Sequence, residues 1–373
     1  MTPRIYLDWA ATAPIDPAAA QACAAAMGAW ANPSSVHAEG RRARGALESA
    51  RREIAAALGA SGTLVFTAGG SEALALALGR AKAGARLISA VEHAAVFAAA
   101  PDAATVPVPV PVPVPIPVDA EGRVDVGALA TMLARHAAPA LVAVMQANNE
   151  TGVIQPLAQV AATVRAAGGL LLVDAVQGAG KLAWPDADFV AVSAHKLGGP
   201  PGAGALFVRD LSTIAAGAGA QEGGYRGGTE NLPAILGWAA AMAARAADPG
   251  WTARVGGLRE RLEARLRAGG GIVAGDGAAR LPGIACVAMP GVEAMRQLML
   301  LDLDGFAVSA GAACSSGRVK ASHVLAAMGW GAAAGEAIRI SLGWSTTERE
   351  IDAFAAAWER IAARLMPRRA RAA

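Results

Sequence analysis

Aromatic and charged residues are scarce in this sequence, at 4% and 17% of its 373 positions. Apolar residues supply 54% of the chain, so its core has to be built from Ala, Val, Leu and Ile rather than from rings. This composition excludes a disordered chain, which could not bury enough apolar surface to offset the entropy of ordering. The length predicts two or three domains, or one large α/β domain with a smaller partner.

Cysteine is scarce as well, with only Cys23, Cys286 and Cys314. An odd number without a C-x-x-C pair argues against structural disulfides and against a zinc knuckle, and it indicates a reducing, cytoplasmic compartment. Cys23 falls in an Ala-rich predicted helix and Cys286 in an apolar predicted strand. A cysteine in such a place is usually an inert, buried hydrophobe.

Long apolar runs are missing too. Polar residues interrupt Pro17–Ala38, and proline interrupts the uncharged stretch 103–118, so we expect no membrane-spanning helix. Asp8 stands where a secretory signal would have its apolar run, which predicts no export signal. The 33 basic and 30 acidic residues leave a net charge of +3, too small an excess to indicate a nucleic-acid partner.

Short β-branched runs alternate with Ala-rich stretches from about residue 60 to 210, a pattern typical of a sheet with crossover helices. The predicted strands are Thr63–Thr67, Arg86–Ala90, Leu141–Gln146, Gly169–Val173, Asp188–Ser193 and Gly204–Val208. Their apolar character indicates burial on both faces and therefore a mostly parallel sheet. Polar and Gly-rich residues follow the strand ends, where the ligand of such a sheet binds.

Val106–Val118 alternates Val or Ile with Pro, which predicts an extended polyproline segment or an edge connection, with an SH3-type ligand as the alternative. The pattern changes after Gly250. A charged helix is predicted at Trp251–Ala268, short strands near 283–289 and 306–309, a helix from Ser322, a strand at Ala337–Leu342 and a last helix over 346–365. This second region predicts a smaller α/β domain.

Two generic phosphate motifs fail, while a third segment fits. AVQGAGKL at Ala175–Leu182 has Ala and Leu where a P-loop needs Gly and Ser or Thr. No G-x-G-x-x-G opens the first βαβ unit, so a nicotinamide cofactor has little support. TAGGSE at Thr67–Glu72 lies between a strand and an apolar helix, where free N–H groups and the helix dipole favour an anion. An ordinary turn with Ser71 capping the helix fits this segment equally well.

Asp174 and Lys196 follow the ends of neighbouring predicted strands. Pyridoxal phosphate requires such a pair, because a carboxylate holds its pyridinium nitrogen and a lysine forms a Schiff base with it. A lysine at a strand end is, by itself, more often a solvated residue. Together with the segment Thr67–Glu72, the pair predicts a pyridoxal-phosphate site.

Ordered motifs over nearly the whole chain resemble the class V aminotransferase group of fold type I pyridoxal-phosphate enzymes, and within it the cysteine desulfurases of the iron–sulfur-cluster type. The matching segments are YLDWAATAP at Tyr6, NPSSVHAEGR at Asn32, TAGGSEA at Thr67, EHAAV at Glu92, NNETGVIQP at Asn148, VDAVQGAGK at Val173, SAHKLGGPPGAGAL at Ser193, GGYRGGTEN at Gly223, SAGAACSSG at Ser309 and AIRISLG at Ala337. The resemblance implies an α/β fold with a large cofactor-binding domain at 15–248. It implies a smaller α/β domain at 1–14 and 249–373, which carries Cys314 and Arg339.

The resemblance also implies roles for individual residues. It makes Lys196 the Schiff-base lysine, Asp174 the partner of the pyridinium nitrogen and His93 the residue stacked on the ring. Other cofactor contacts that it implies are Asn149 and Gln177 near the ring hydroxyl, Gly70, Ser71, Ser193 and His195 on the phosphate, and Thr229 on the phosphate of a neighbouring subunit in a homodimer. Arg339 matches the arginine that clamps the substrate carboxylate, and Asn32 would assist it.

Cys314 decides the reaction that the resemblance implies. It lies among the small residues SAGAACSSG, which cannot pack a core, so we expect its thiol on a mobile loop. Lys196 would take the α-proton of L-cysteine, and the Cys314 thiolate, helped by a base such as His93, would attack the substrate sulfur. The products would be L-alanine and a Cys314 persulfide, whose sulfur passes to an acceptor protein such as a cluster scaffold or to a thiolation pathway.

Four positions depart from the family pattern. Trp9 stands where Asn is common, Ala13 where Thr is common, and Gly223 and Trp344 where Arg is usual. Three alternative functions remain open: a selenocysteine lyase, an aminotransferase of a small amino acid, and a non-catalytic sulfur-trafficking partner with the same fold.

Overall fold

The computed structural model describes residues 4–29, 31–99, 114–136, 138–217, 219–313 and 319–366. The strands in these ranges are β1 Ile5–Tyr6, β2 Thr63–Thr67, β3 Ala85–Ser89, β4 Val114–Ile116, β5 Ala140–Ala143, β6 Leu170–Asp174, β7 Phe189–Ser193, β8 Gly204–Val208, β9 Ile272–Val273, β10 Ile284–Ala288, β11 Phe306–Ala307, β12 Ser309–Ala310, β13 Ala312–Ala313, β14 Val319–Lys320 and β15 Ala337–Ser341. The helices are α1 Pro17–Gly28, α2 Ala38–Leu58, α3 Gly70–Arg80, α4 Ala94–Ala99, α5 Val126–Leu133, α6 Leu157–Ala166, α7 Leu232–Ala246, α8 Trp251–Ala268, α9 Ala294–Leu303, α10 His323–Ala327 and α11 Glu348–Leu365.

Seven strands form the larger sheet, in the order β2-β8-β7-β6-β5-β3-β4. Strand β8 runs in the direction opposite to the other six strands, since it pairs in the antiparallel sense with both of its neighbours, β2 and β7. The remaining pairs are parallel. The prediction of a mostly parallel sheet in an α/β fold is therefore confirmed.

Both faces of this sheet are covered by helices, as its apolar strands require. Side chains alternate along each strand, so Val142 of β5 joins the cluster that contains Leu47 and Ile54 of α2. Its neighbour Leu141 points the other way and packs in the cluster of α3 with Leu74. The buried residues of α2 recur every three or four positions, which gives the helix one apolar face toward the sheet.

The Pro-rich segment is described only in part. Val114–Ile116 forms the edge strand β4, parallel to β3, with Ile116 fully buried. This agrees with an edge connection, since proline is tolerated where one side of a strand needs no ladder bonds. Residues 106–113 lie outside the described residues.

A second, antiparallel sheet has the order β12-β15-β10-β9 and packs with α8, α9 and α11. Helix α11 begins with a capping box, in which the side chains of Thr347 and Glu350 each accept the other residue's backbone N–H group. β1 pairs with β11, so the start of the chain lies beside this second region. The boundaries at residues 15 and 249 stay a prediction.

β13 and β14 form a short antiparallel hairpin that encloses residues 314–318 in the chain. Cys314 itself lies outside the described residues, so its predicted mobile loop stays a prediction. Within the described ranges, no helix is both long and apolar enough to cross a membrane.

Candidate active site

The carboxyl ends of β2, β3, β6 and β7 meet at one edge of the larger sheet. Thr67 at the end of β2 pairs with Gly204, which in turn pairs with Ser193 at the end of β7. Asp174 at the end of β6 pairs with Ala191 of β7. The segments that follow these strands therefore converge, as the sequence predicts for a ligand crevice.

A cavity of about 400 Å³ lies at this edge and is also bounded by the second sheet. It is lined by Gly70, Ser71, His93, Asn149, Asp174, Gln177, Ser193, His195, Lys196 and Arg339 among the residues predicted from the sequence. Further lining residues include Asp8, Val176, Ser309 and Gly311, which the prediction did not name. One space thus joins the candidate cofactor residues to the candidate substrate residue.

The start of α3 forms a cup of backbone N–H groups at the predicted phosphate site. Its N-cap is Gly69, which offers no side-chain acceptor, so the turn capped by Ser71 is not what the structure shows. The first N–H groups of the helix therefore have no acceptor within the helix or from a capping side chain. Position 70 has no room for a side chain, because a Cβ on Gly70 would lie 2.6 Å from Cγ2 of Val176. Only backbone therefore lines the cup at this position. This geometry suits a phosphate.

Asp174 and Lys196 face the same cavity from neighbouring strands. The Asp174 Oδ1 atom accepts the Val176 N–H at 2.9 Å, and burial raises the pKa of this carboxyl to about 6. Burial lowers the pKa of Lys196 to about 8, with the charge of Arg339 adding to the effect. Lys196 Nζ donates to the carbonyls of Ala10 and Ala11 at 2.6 Å each. An amine with this pKa can lose its proton near neutral pH and act as a base or nucleophile.

Gln177 supplies a buried acceptor that no described protein group uses. Its Nε2 atom donates to the Ala10 carbonyl at 2.9 Å, which fixes the amide. Its Oε1 atom is buried and has no hydrogen-bond partner. Buried polar atoms are normally satisfied, so this orphaned oxygen indicates a donor on a missing group, such as the ring hydroxyl of pyridoxal phosphate.

Two histidines of the cavity are held neutral. Burial lowers the pKa of His195 to about 4, and its Nδ1 atom lies 3.0 Å from Oγ1 of Thr12. Burial and the charge of Lys196 also lower the pKa of His93, whose Nδ1 accepts the Ala95 N–H at 3.1 Å. A neutral His93 ring can stack on an aromatic cofactor without adding a positive charge.

Arg339 lies in the middle of β15 and is almost completely buried. Its Nη2 atom donates to Oδ1 of Asp8 at 2.7 Å, and its Nη1 atom donates to the Asn149 carbonyl at 3.0 Å. Asn32, predicted to assist Arg339, is exposed and does not line this cavity; its Oδ1 accepts the Ser34 N–H. The role of Asn32 therefore stays a prediction, and the side chain that pairs with Arg339 in this structure is Asp8, which lies beside Ser341 of β15.

Thr229 is also exposed and outside the cavity. The segment before it is tied to the phosphate cup, since Arg226 Nε donates to Oε1 of Glu72 at 3.0 Å. The predicted contact of Thr229 is with another subunit, so it stays a prediction. No group of three or more potential metal ligands lies together in the described part of the chain.

Sequence reasoning missed three features of the site: Asp8, Glu92, and the two main-chain carbonyls that accept hydrogen bonds from Lys196. The Asp8 carboxyl could have been suspected, because it directly follows a short apolar run. The two carbonyls leave no sequence signal, since every residue has one. Glu92 is buried beside Asp174, and burial together with that charge raises its pKa well above the ordinary value.

Two of the four departures contact each other. Trp9 and Trp344 meet edge to face, with ring centroids 4.7 Å apart, and Trp344 also meets Trp251 at 6.0 Å. The guanidinium of Arg245 lies 4.0 Å from the Trp344 ring centroid. The three tryptophans and Lys196 line a further small cavity. Gly223 has φ +65°, a conformation that favours glycine.

Comparisons with known proteins agree with this geometry. The family described as Aminotransferase class-V matches residues 5–354. A cysteine desulfurase of Gluconacetobacter diazotrophicus is 42% identical, covering 93% of this chain and 90% of that protein. A cysteine desulfurase IscS of an Anaeromyxobacter species is 38% identical, with 93% and 90% covered. The solved structure of a NifS-like protein from Rickettsia africae superposes with a TM-score of 0.86 at 33% identity, covering 96% of this chain and 99% of that one.

Proposed function

This chain belongs to the class-V aminotransferase family, and from that premise we propose that it is a pyridoxal-phosphate-dependent cysteine desulfurase. Relatives named cysteine desulfurase cover more than nine-tenths of its length. One observation supports the proposal above all: a single cavity brings Asp174 and Lys196 together with Arg339. The first two suit the cofactor, and the third suits the carboxylate of an amino-acid substrate.

The residues of this chain fit the cofactor. The N–H groups at the start of α3, with Ser71 and Ser193, would hold its phosphate. Asp174 would hold its ring nitrogen, the unpaired Oε1 of Gln177 would accept from its hydroxyl, and His93 would cover the ring. When bound, pyridoxal phosphate withdraws electrons from the substrate α-carbon, which makes the α-proton removable.

Arg339 and Lys196 would divide the handling of the substrate between them. Arg339 binds the carboxylate of L-cysteine, for which its planar guanidinium offers two parallel N–H donors. Burial has already lowered the pKa of Lys196 to about 8, so its amine can accept the α-proton and hold it at Nζ. The carbonyls of Ala10 and Ala11 accept hydrogen bonds from the same Nζ atom when it is protonated.

Cys314 would accept the sulfur. Its thiolate attacks the sulfur of L-cysteine, the carbon–sulfur bond breaks with its electrons going to the substrate carbon, and a proton completes L-alanine. One L-cysteine and one thiol give one L-alanine and one persulfide, so no external oxidant is needed. We further propose a homodimer in which Thr229 reaches the phosphate bound by the neighbouring subunit. A sulfur-acceptor protein such as a cluster scaffold, and a cytoplasmic location, complete the proposal.

The test is to incubate the purified holoenzyme with L-cysteine and a reductant, and to measure L-alanine, sulfide and the persulfide on Cys314 together. In the Cys314→Ala variant we expect the cofactor absorbance to stay and persulfide and sulfide to fall by at least a hundredfold. Cys23→Ala is the matched control, since Cys23 lies in α1 and does not line the cavity, and this variant should keep its activity.

Other results would identify the alternatives. An aminotransferase would keep turning over in the Cys314→Ala variant and would form a keto acid. A selenocysteine lyase would release selenide from selenocysteine while leaving L-cysteine intact. A non-catalytic partner would show no Lys196 modification after borohydride trapping and peptide mapping. Any of these results would overturn the desulfurase proposal.

A further inference from the structure

Arg339 is a buried cation that already has a carboxylate partner. Only 6% of the residue is exposed, and its Nη2 atom lies 2.7 Å from Oδ1 of Asp8. A buried guanidinium needs such a counter-charge, because an unpaired ion in an apolar interior is strongly unfavourable. The α-carboxylate of a substrate would have the same charge and the same oxygen geometry as Asp8. Both carboxylates therefore compete for one cation.

Asp8 is placed so that its side chain can be displaced while its backbone stays. Its carbonyl accepts N–H groups from Ala11 at 3.0 Å and Thr12 at 3.4 Å, and also the Tyr6 hydroxyl at 3.0 Å. Its carboxylate, in contrast, has Arg339 as its only hydrogen-bonded partner in the described ranges, and the side chain is 21% exposed and lines the cavity. A ligand entering the cavity can reach this ion pair without unfolding the turn.

The same turn also contacts Lys196. The carbonyls of Ala10 and Ala11 accept from Lys196 Nζ, while Asp8, two residues earlier, pairs with Arg339. The charge of Asp8 opposes the fall in the pKa of Lys196, so the carboxylate acts on both cations of the site. One short turn thus contacts both Arg339, proposed to bind the substrate carboxylate, and Lys196, proposed to take the α-proton.

We propose that Asp8 is a specificity-determining residue: it occupies Arg339 until the substrate carboxylate replaces it, and it then faces the substrate side chain. The inference rests on the proposed function. Displacing Asp8 weakens the binding of every carboxylate ligand by the strength of one charge-assisted hydrogen bond. The displaced carboxylate stays in the cavity and repels an acidic side chain, so zwitterions with a neutral side chain are favoured over L-aspartate.

The experiment measures binding of L-alanine to the holoenzyme through the change in cofactor absorbance, in the wild type and in Asp8→Asn. Removing the competing charge should lower the apparent Kd of L-alanine roughly tenfold. Ethylamine, which has no carboxylate, should bind both proteins within twofold of each other. The preference for L-alanine over L-aspartate should fall in the variant, also by roughly tenfold.

Asp304→Asn is the matched control, because Asp304 pairs with Arg360 at 3.2 Å on the exposed surface of the second region. It should leave both affinities unchanged. Asp8→Ser serves as a second variant if Asp8→Asn loses its cofactor. Weaker binding of L-alanine in the Asp8 variants, or equal changes for L-alanine and ethylamine, would show that Asp8 only supports the site and would overturn the inference.

These measurements are independent of the desulfurase reaction. If the wild type forms no alanine and sulfide from L-cysteine, the proposed function fails, whereas competition between Asp8 and L-alanine remains measurable. If the wild type is an active desulfurase and the Asp8 variants bind L-alanine no more tightly, only the inference about Asp8 fails. With an active enzyme we also expect a lower KM for L-cysteine in Asp8→Asn, with kcat changed less than KM.

Discussion

The two walls of the cavity are built differently. The wall at the edge of the larger sheet collects side chains from four strand ends, and most of them are fixed by backbone hydrogen bonds, as with Asp174 and Val176. The wall from the second sheet offers Arg339, held by an ion pair with Asp8 and one hydrogen bond to the Asn149 carbonyl. The first wall therefore suits a group that stays bound, and the second suits a ligand that binds and dissociates in each reaction cycle. Substitutions on the first wall should therefore impair cofactor binding and catalysis, whereas those on the second should impair substrate binding.

The largest effect should come from Asp174→Asn on the wall of the larger sheet. Without the negative charge beside the ring nitrogen, the cofactor withdraws electrons less effectively, and we expect alanine formation to fall by roughly a hundredfold or more. Cofactor affinity, followed by absorbance during dialysis, should fall as well.

Asp186→Asn is the control for that experiment. Asp186 precedes β7 at the opposite edge of the sheet, is exposed and pairs with Arg165 at 2.7 Å. Its loss should change activity by less than twofold. Full activity in Asp174→Asn would contradict the prediction that the wall of the larger sheet binds the cofactor through Asp174.

A smaller and different effect is expected for Arg339→Lys on the opposite wall. Lysine keeps the charge but loses the planar pair of donors, so KM for L-cysteine should rise by about ten- to a hundredfold. The cofactor absorbance should stay as in the wild type, because no predicted cofactor contact is removed. Arg360→Lys, an exposed arginine of α11, provides the matched control. Loss of the cofactor in Arg339→Lys would show that the walls are not independent.

The smallest effect on activity should come from Lys181→Met, which compares Lys196 of the first wall with a similar lysine outside the cavity. Lys181 resembles Lys196 in that burial lowers its pKa to about 8 from the usual 10.5. It donates to the Gln177 carbonyl at 2.9 Å and does not line the 400 Å³ cavity. Kinetic constants should therefore stay within about threefold of the wild type.

Stability should respond more clearly than activity in Lys181→Met. The folded pKa of Lys181 lies below the unfolded value, so the unfolded chain binds more protons between pH 8 and 10.5, and stability rises with pH there. Removing the charge should stabilise the protein near pH 7 by on the order of 2 kcal/mol, a gain that disappears toward pH 10.5. Urea unfolding at several pH values measures this difference. A gain that is independent of pH would contradict a buried, charged Lys181.

The sequence predicts most of the larger sheet because its signals are local. Apolar runs of five or six residues, such as Thr63–Thr67 and Gly204–Val208, coincide with observed strands, since each run has to be buried on both faces. Strand ends are less certain. The strand within the run Leu141–Gln146 ends at Ala143, although Val144 and Gln146 still donate to the Leu172 and Asp174 carbonyls of β6. The NNETG loop follows, closed by an antiparallel bridge between Ala147 and Ile154.

For the site, the ordered motifs by themselves determined the candidate residues Asp174, Lys196 and Arg339, since these are chemically specific and occur in a family-specific order, and the structure brings all three to one cavity. Only the tertiary structure decided how their charges are compensated. The partner of Arg339 comes from 331 positions away, and the acceptors of Lys196 are main-chain carbonyls of the first turn. Such contacts depend on how the segment after β1 docks beside β15, a long-range packing event that leaves no local pattern in the sequence.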